Sequence, residues 1–471
     1  MPLLKLVAEG VGPFERIEID FSDGQGNPHL GPHIFAGING SGKSTILRTI
    51  AWVLRRKDDG FDSKEWRHSL AGHRDPRACV IMKHPSGILY FQWRSTPGDD
   101  ETSRDWARAE ARSWARAWTQ TPAPVSASKD NTAGPIVNPD RYEPSPNGET
   151  YALAAYSPVT SLKHIAKPDL NKILSNGNFN ALAFQGTVQN EAIQAWLLSL
   201  YSKRAIAKER RQATAQYTRS LDRFEAALKS MYGTNIHFDV EIEPFEPRLV
   251  INNHSYNFSQ LADGVRGTVG WIADFMMRQD SIKWDPDLEE IRPGILLLDE
   301  VDVHLHPLWQ RRLLPAMRES LPNVQLIVTS HSPFVISSCP GARIHVLQLD
   351  AHGHSHNCPP VDSPIGESVL TTLKEIFGVK SRFDIQTEVE LDEWNDLKRK
   401  EATHALSPEE ASRLAELTHI LSARSEELRS LVGGPLQIPE SVLQQLVENG
   451  SHKKRPSSKN ASPAPRAKRR R

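Results

Sequence analysis

The hydrophobic pattern changes period several times along the chain, and each change marks an element. Residues 3–8 (Leu3-Leu4-Lys5-Leu6-Val7 and on) and 16–21 (Arg16-Ile17-Glu18-Ile19-Asp20-Phe21) predict short strands. The second alternates in and out, as a half-buried strand does. His33-Ile34-Phe35-Ala36 runs into a glycine-rich turn, and Ile46, Leu47, Ile50, Val53 and Leu54 then fall at helical spacing over Ser44–Arg56. Residues 78–82 and 88–93 flank Pro85-Ser86-Gly87 and predict a hairpin. An alanine-rich stretch, 101–119, predicts a helix, and 121–149, full of Pro, Ser, Asn and Gly without periodicity, predicts a long exposed loop. From 151 to 231 the pattern reads as mostly helical, ending in a run from Ala192 to about Met231.

Two short strands follow near 238–240 and 249–251, then a helix over about Val265–Arg278. Gly294-Ile295-Leu296-Leu297-Leu298 is a continuous apolar run before two acids, the pattern of a parallel strand buried on both faces. Val324–Val328 is a second such run, with a helical stretch Pro307–Ser320 between them, which together predict a βαβ unit. Residues 366–450 read as helices. Ser407-Pro408-Glu409-Glu410 is a capping-box sequence, and Leu414, Leu417, Leu421, Leu428 and Leu431 follow at near-heptad spacing with a gap near Arg424. Residues 451–471 are low-complexity Lys, Arg, Pro and Ser, the composition of a disordered tail.

Composition narrows the class. The 471 residues hold 28 Gly and 33 Pro with 7% aromatics, a globular composition with generous loops. No apolar run approaches the roughly 18 residues of a membrane span, which predicts a protein with no membrane segment. The start of the chain lacks a signal-peptide pattern, and three dispersed cysteines (Cys79, Cys339, Cys358) suit neither a disulfide framework nor a cysteine zinc site. A cytoplasmic protein is expected. The net charge of zero conceals an asymmetry. Lys453 to Arg471 holds nine basic residues and no acidic one, which leaves 48 basic against 57 acidic in the rest, a body of net −9.

The chemistry lies in the turns. Gly37-Ile38-Asn39-Gly40-Ser41-Gly42-Lys43-Ser44 fits G-x-x-x-x-G-K-[ST], in the required order of strand, loop and helix. Glycines let such a loop curl so that successive N–H groups face phosphate oxygens, and the helix that follows adds its positive end. Lys43 supplies a full charge to the β- and γ-phosphates, and Ser44 offers a hydroxyl to Mg²⁺. Far downstream, Asp299 and Glu300 close a buried strand. One can hold the magnesium shell, and the other can orient or deprotonate an attacking water. About thirty residues on, the next strand ends Thr329-Ser330-His331-Ser332-Pro333, where His331 can report on the γ-phosphate.

Together the P-loop at 37–44, the acidic strand end at 295–300, His304-Leu305-His306-Pro307 and His331 resemble the ABC-class ATPases of the SMC–RecF type. The run Gly294–Ser337 is similar to the single-chain ATPases of Septu-type and retron-associated anti-phage systems. The resemblance runs in order over 3–345 and resumes at 367–383. It implies an α/β P-loop NTPase fold: an ABC-type ATPase head over 1–350, with an antiparallel β layer near the N-terminus and a helical insertion at about 151–235. A helical C-terminal appendage (366–450) and the basic tail (451–471) would follow.

It implies ATP and Mg²⁺, with Gly37, Asn39, Gly40, Ser41, Gly42, Lys43, Ser44 and Thr45 on the phosphates. Ser44 and Asp299 would hold the metal, with Glu300 and His331 in catalysis. It also implies a signature loop that reaches the nucleotide of a second copy. Leu261-Ala262-Asp263-Gly264-Val265-Arg266 stands in its place, with Ala262, Asp263, Gly264 and Arg266 as the contacts. Ala262 departs from the family's serine and removes a hydroxyl from the γ-phosphate. Losing one hydrogen bond to a charged group costs about 1.5–3 kcal/mol, enough to slow turnover while leaving binding intact. The glutamine that links metal to the rest of such a site is open between Gln185 and Gln189.

The function expected is an ATPase that dimerises, or assembles further, through its heads and regulates a separately encoded effector, a nuclease, in anti-phage defence. The Leu414–Leu431 seam is the docking candidate, with packing inside the chain as the alternative. The alternative is an SMC- or RecF-like DNA clamp with slow turnover. Nucleic acid could contact a stripe of Arg104, Arg108, Arg112 and Arg116 or the basic tail. Against the stripe stands a solvated helix face with Trp106, Trp114 and Trp118 packed on the body. His352, His354, His356 and Cys358 fit an exposed hairpin better than a metal site. The acidic run Asp384–Asp396 fits a solvated helix face better than a nuclease centre. Arg399 and His404 match a short ribonuclease-like spacing that arises readily by chance.

Overall fold

A computed structural model describes residues 2–55, 76–83, 89–95, 101–118, 136–137, 151–157, 177–178, 180–184, 187–188, 190–284, 288–364, 366–379 and 381–433. The chain divides into two units, Met1–Val379 and Lys380–Arg471.

The first unit is built on a parallel sheet. In spatial order its strands are Ser355–Asn357, Arg343–Leu349, His33–Gly37, Val324–Thr329, Gly294–Leu298 and Ala152–Tyr156, with Val361–Asp362 also paired to Arg343–Leu349. The five from Arg343–Leu349 to Ala152–Tyr156 run parallel. Parallel sheets are covered on both faces, and these strands show why the pattern is continuously apolar. Ile295 and Leu297 point into one core with Ile46, Leu47 and Ile50 of the helix Lys43–Leu54. Leu296 and Leu298 point into the other, with Trp196, Phe224, Phe275 and Leu313.

The expected helical reading of 151–156 is overturned. Ala152–Tyr156 is the edge strand of the parallel sheet, and both it and the preceding Tyr151 are buried. Alanine favours helices, but a run of six buried apolar residues has no period that tells strand from helix. Pairing with Gly294–Leu298 decides the matter. Among the described residues, the helices of this region are Asn190–Glu209 and Ala215–Tyr232, separated by a short break.

Above the first core lies an antiparallel layer, Phe14–Asp20, Leu3–Val11, Arg77–Lys83 and Leu89–Ser95. Ile136–Val137, within the stretch expected to be loop, extends it in parallel. Gln325 ties the two sheets, since its side chain accepts from Leu3 N–H at 2.8 Å and donates to Leu3 C=O at 3.1 Å. The outer face of the layer is covered by the helix Glu101–Trp118, whose Ala107, Ala111 and Trp114 bury Leu4, Val7, Cys79 and Ile81. A separate three-stranded sheet, His254–Tyr256, Glu246–Ile251 and Ile236–Glu241, precedes the helix Asp263–Ser281.

In the second unit, Ile385–Thr403, Pro408–Arg424 and Glu426–Val432 form a small helical group. The capping box forms as the sequence predicts: Ser407 accepts from Glu410 N–H and Glu410 returns the bond to Ser407 N–H. The leucine seam does not stay free for a partner. Leu414 and Leu417 pack on Leu397, and Leu421 and Leu428 pack with Val432, beside Trp394 and Leu391. Only Leu431 of the five is exposed. The gap in the heptad is where Ser425 starts a new helix, which turns the seam inward.

Candidate functional site

The P-loop joins the strand His33–Gly37 to the helix Lys43–Leu54. Its shape depends on glycine at Gly42, which has φ +91°, and a Cβ there would lie 2.4 Å from the Phe14 ring. Asn39 and Gly40 are exposed, whereas Ser41 and Lys43 are buried beneath them. Lys43 Nζ donates to Gly37 C=O and Ile38 C=O, both at 2.9 Å. Burial pushes the Lys43 ammonium below its ordinary range, with Asp299, Glu300 and Asp302 pulling the other way. A cation held part-buried over three carboxylates suits an anion that brings its own divalent metal. Thr45 lies against Gly12 of the antiparallel layer, and Ser355 Oγ donates to Ser41 C=O at 2.6 Å. The loop is braced on both sides.

The acidic strand end meets it through side chains. Ser44 Oγ donates to Asp299 Oδ1 at 2.8 Å, joining two motifs 255 residues apart in sequence. Asp299 is 4% exposed. The strand order explains the meeting: Val324–Thr329 lies between the P-loop strand and Gly294–Leu298, so all three carboxyl ends open on one edge. From that middle strand Thr329 Oγ1 donates to Asp299 Oδ1 at 2.7 Å and accepts from Glu300 N–H at 2.7 Å. On the other flank Asp299 N–H donates to Tyr156 C=O at 2.9 Å. Glu300 is half-buried with φ +48°.

His331 follows on the same edge, exposed, its N–H donating to Asp302 Oδ1 at 3.3 Å. Burial and the Lys43 charge hold its imidazole below the ordinary histidine range, so it is neutral at pH 7. Gln310 fixes the turn between, donating to Asp302 C=O and Leu305 C=O at 3.0 Å and accepting from Ser332 Oγ at 2.7 Å.

Oxygen donors of this kind fit Mg²⁺, since one hydroxyl and one carboxylate already converge. Thr329, Tyr156 and Gln310 were not readable as site residues from the sequence. Each acts through a neighbour in space, and a threonine or glutamine in such a context carries no motif.

The candidate signature loop lies elsewhere on this unit. Ala262 is the N-cap of the helix Asp263–Ser281 and makes no side-chain cap bond. Asp263 and Arg266 pair with each other. Gly264 packs on the turn after Glu300, where a Cβ would lie 2.1 Å from His304 C=O. Of these residues Gly264 borders the His304 turn, and Asp263 and Arg266 engage each other. Behind this helix, Tyr156 OH donates to Asp274 Oδ2 at 2.6 Å, and the fully buried Arg278 bonds Asp274, Gly177 C=O and Thr187 C=O. Gln185 and Gln189 lie outside the described residues.

The weaker signals resolve differently. Arg108 pairs with Asp105 at 3.4 Å and Arg112 is exposed, while the side chains of Arg104 and Arg116 and the basic tail lie outside the described residues. Trp114 is buried against the antiparallel layer. His354 and His356 sit in and beside a hairpin strand, and no metal-ligand cluster occurs among the described residues. Asp384 caps its helix, while Glu390 pairs with Arg424 and Glu393 with Arg413, so this acidic run is engaged in helix caps and ion pairs. Arg399 pairs with Asp396, and His404 ends the helix. No helix among the described residues is long and apolar enough to cross a membrane.

Residues 256–337 match the model of an AAA domain described as a putative AbiEii toxin of a type IV toxin–antitoxin system, and residues 5–90 match a second AAA domain. The chain is 29% identical over 160 residues to the Retron Ec83 probable ATPase of Escherichia coli, covering 34% of this chain and 29% of that relative. It is 24% identical over 404 residues to the Retron Vc95 probable ATPase of Vibrio cholerae serotype O1 biovar El Tor, covering 72% and 73% of the two. To the Septu protein PtuA of Bacillus thuringiensis it is 27% identical over 180 residues, 36% of this chain and 45% of that one. The chain therefore spans under half the length of two of these three relatives and about three quarters of the other. A solved SMC head domain from Thermotoga maritima covers 76% of this chain at 17% identity and TM-score 0.36, with 99% of that chain matched. Residues 5–90 and 256–337 are thus similar to AAA domains, and the chain is similar in sequence to probable ATPases of retrons and to the Septu protein PtuA.

Proposed function

We propose that this chain binds ATP with Mg²⁺, hydrolyses it slowly, and uses the cycle to pair and separate two heads that control an effector in anti-phage defence. The observation that carries the proposal is the 2.8 Å bond between Ser44 and Asp299, with Lys43 and Glu300 beside it. In this reading the N–H groups of 37–45 and Lys43 hold the phosphates. Ser44 and Asp299 hold Mg²⁺, which when bound neutralises charge developing on the phosphate oxygens. Glu300 orients and accepts a proton from water, and His331, neutral at pH 7, donates or accepts at the γ-phosphate as the strand shifts.

Head pairing is supported by the placement of the candidate signature loop. Gly264 packs on the exposed His304 turn, and Ala262 and Asp263 are exposed at the start of a 19-residue helix, whose N-terminus would meet the nucleotide of a second copy. A separately encoded nuclease is the proposed effector, supported by the likeness to the retron ATPases and the Septu protein. The packing of the leucine seam moves the docking surface away from Leu414–Leu431. The second reading, an SMC-like nucleic-acid clamp, is favoured by one observation: Ala262 offers neither a hydroxyl nor a cap.

Glu300→Gln removes the proton acceptor and keeps the binding groups. With ATP and Mg²⁺ its solution mass should double relative to the nucleotide-free protein. A variant that binds ATP and keeps the nucleotide-free mass contradicts head pairing.

A further inference from the structure

The strand that ends in His331 also carries Thr329, which is fully buried. Its hydroxyl donates to Asp299 Oδ1 and accepts from Glu300 N–H, both at 2.7 Å. Its carbonyl accepts from Val301 N–H at 3.1 Å. A hydroxyl has one hydrogen to give, and this one is committed to the same carboxylate oxygen that Ser44 reaches. One residue therefore fixes that oxygen and clamps the peptide N–H groups on both sides of the Glu300 Cα. Glu300 stands at φ +48°, a backbone state that persists in a non-glycine residue only where the surroundings over-determine it. Thr329 supplies that constraint. Two residues on, His331 N–H holds Asp302, so the middle strand and the acidic turn are tied at both ends.

We infer that Thr329 is a positioning residue for ATP hydrolysis: it aims the Asp299 carboxylate at the metal and sets the backbone from which Glu300 projects. It thereby makes both answer to the strand that carries His331. This rests on the P-loop reading above. Partners that orient a metal-holding carboxylate typically cost about 10–100-fold in metal affinity or activity when removed.

Thr329→Val keeps the shape and removes donor and acceptor. Thr329→Ser keeps the hydroxyl and drops a methyl. In the full chain, ATP turnover should fall about tenfold or more in Thr329→Val. Binding of Mn²⁺ in the presence of a non-hydrolysable ATP analogue, read by electron paramagnetic resonance, should weaken about tenfold. Nucleotide affinity in EDTA should stay within about twofold, and Thr329→Ser should keep both metal-dependent values within about threefold. Thr329→Val at wild-type values overturns the inference. So does Thr329→Ser falling as far as Thr329→Val, because packing of the methyl then accounts for the loss. If Thr329→Val does not fold, Thr329→Cys, of similar shape with a weak donor, takes its place under the same criteria. A wild-type chain that binds nucleotide no better than Lys43→Ala refutes the P-loop reading itself, an outcome read without any Thr329 variant.

Discussion

Glu300 and His304 both hold positive φ, +48° and +62°, at the two ends of the turn that follows the acidic strand. The left-handed region costs an L-residue roughly 1–2 kcal/mol, and two such residues bracketing a five-residue turn point to a shape kept for use. The motif residues of this site were legible in the sequence because their chemistry is local: a glycine loop, a lysine and two acids at a strand end. Thr329 and Tyr156 were not, because each matters only through an atom that the fold brings within 3 Å. Ala262 stands between these cases, since its departure from the signature serine is visible in the sequence and its position as an uncapped helix start is visible only in the structure. Ala262→Ser should therefore do two things. Ser in place of Ala at an N-cap stabilises by about 1 kcal/mol, readable as a higher urea midpoint. Turnover should also rise, by about tenfold for a recovered hydrogen bond to a charged group. A stability gain with unchanged turnover would show that the residue caps the helix and does not reach a nucleotide.

At the scale of elements, periodicity served where runs were long. The helices at 43–54, 101–118 and 307–320 and the paired strands 294–298 and 324–329 all stand within a few residues of expectation. It failed at Ala152–Tyr156, where length and composition left helix and strand equally open and only a neighbouring strand decides. It also missed the packing of Arg343–Leu349 on His33–Gly37, and with it a buried histidine group. His33 Nδ1 lies 3.1 Å from His345 Nε2, and His345 stacks on Phe35 at 4.7 Å. Burial holds His33 well below the ordinary range and His345 down to about 3, so both are neutral in the fold at pH 7.

Unfolded histidine titrates near 6.5, so below that pH the unfolded chain takes up protons that the native chain refuses. Stability should be constant in this respect above about pH 7 and fall as pH drops through 6.5, by up to about 1.4 kcal/mol per unit for each group, on toward the native value of His345. Urea unfolding at pH 7.5 and 5.0 tests this, with a shallower fall expected in His345→Gln. Equal midpoints at the two pH values in the wild type would contradict the burial argument.

For the whole molecule, the charge asymmetry places nine basic residues in Lys453–Arg471 and leaves −9 on the rest. Bulk attraction between that body and nucleic acid is thus unfavourable, and any such contact falls to local groups. Within the first unit the antiparallel layer braces the P-loop at Gly42 and Thr45, and the parallel sheet brings Lys43, Asp299, Glu300 and His331 to one edge. The second unit turns its leucines inward.

The proposed function requires that edge to be a single catalytic site assembled from distant motifs. ATP turnover measured side by side in the wild type, Lys43→Ala and Glu300→Gln tests it most directly. The wild type should hydrolyse ATP. Glu300→Gln should bind ATP with near-wild-type affinity and lose about 100-fold or more in turnover, the scale of a proton acceptor. Lys43→Ala should lose binding. Wild-type turnover in Glu300→Gln would contradict a catalytic role for this edge.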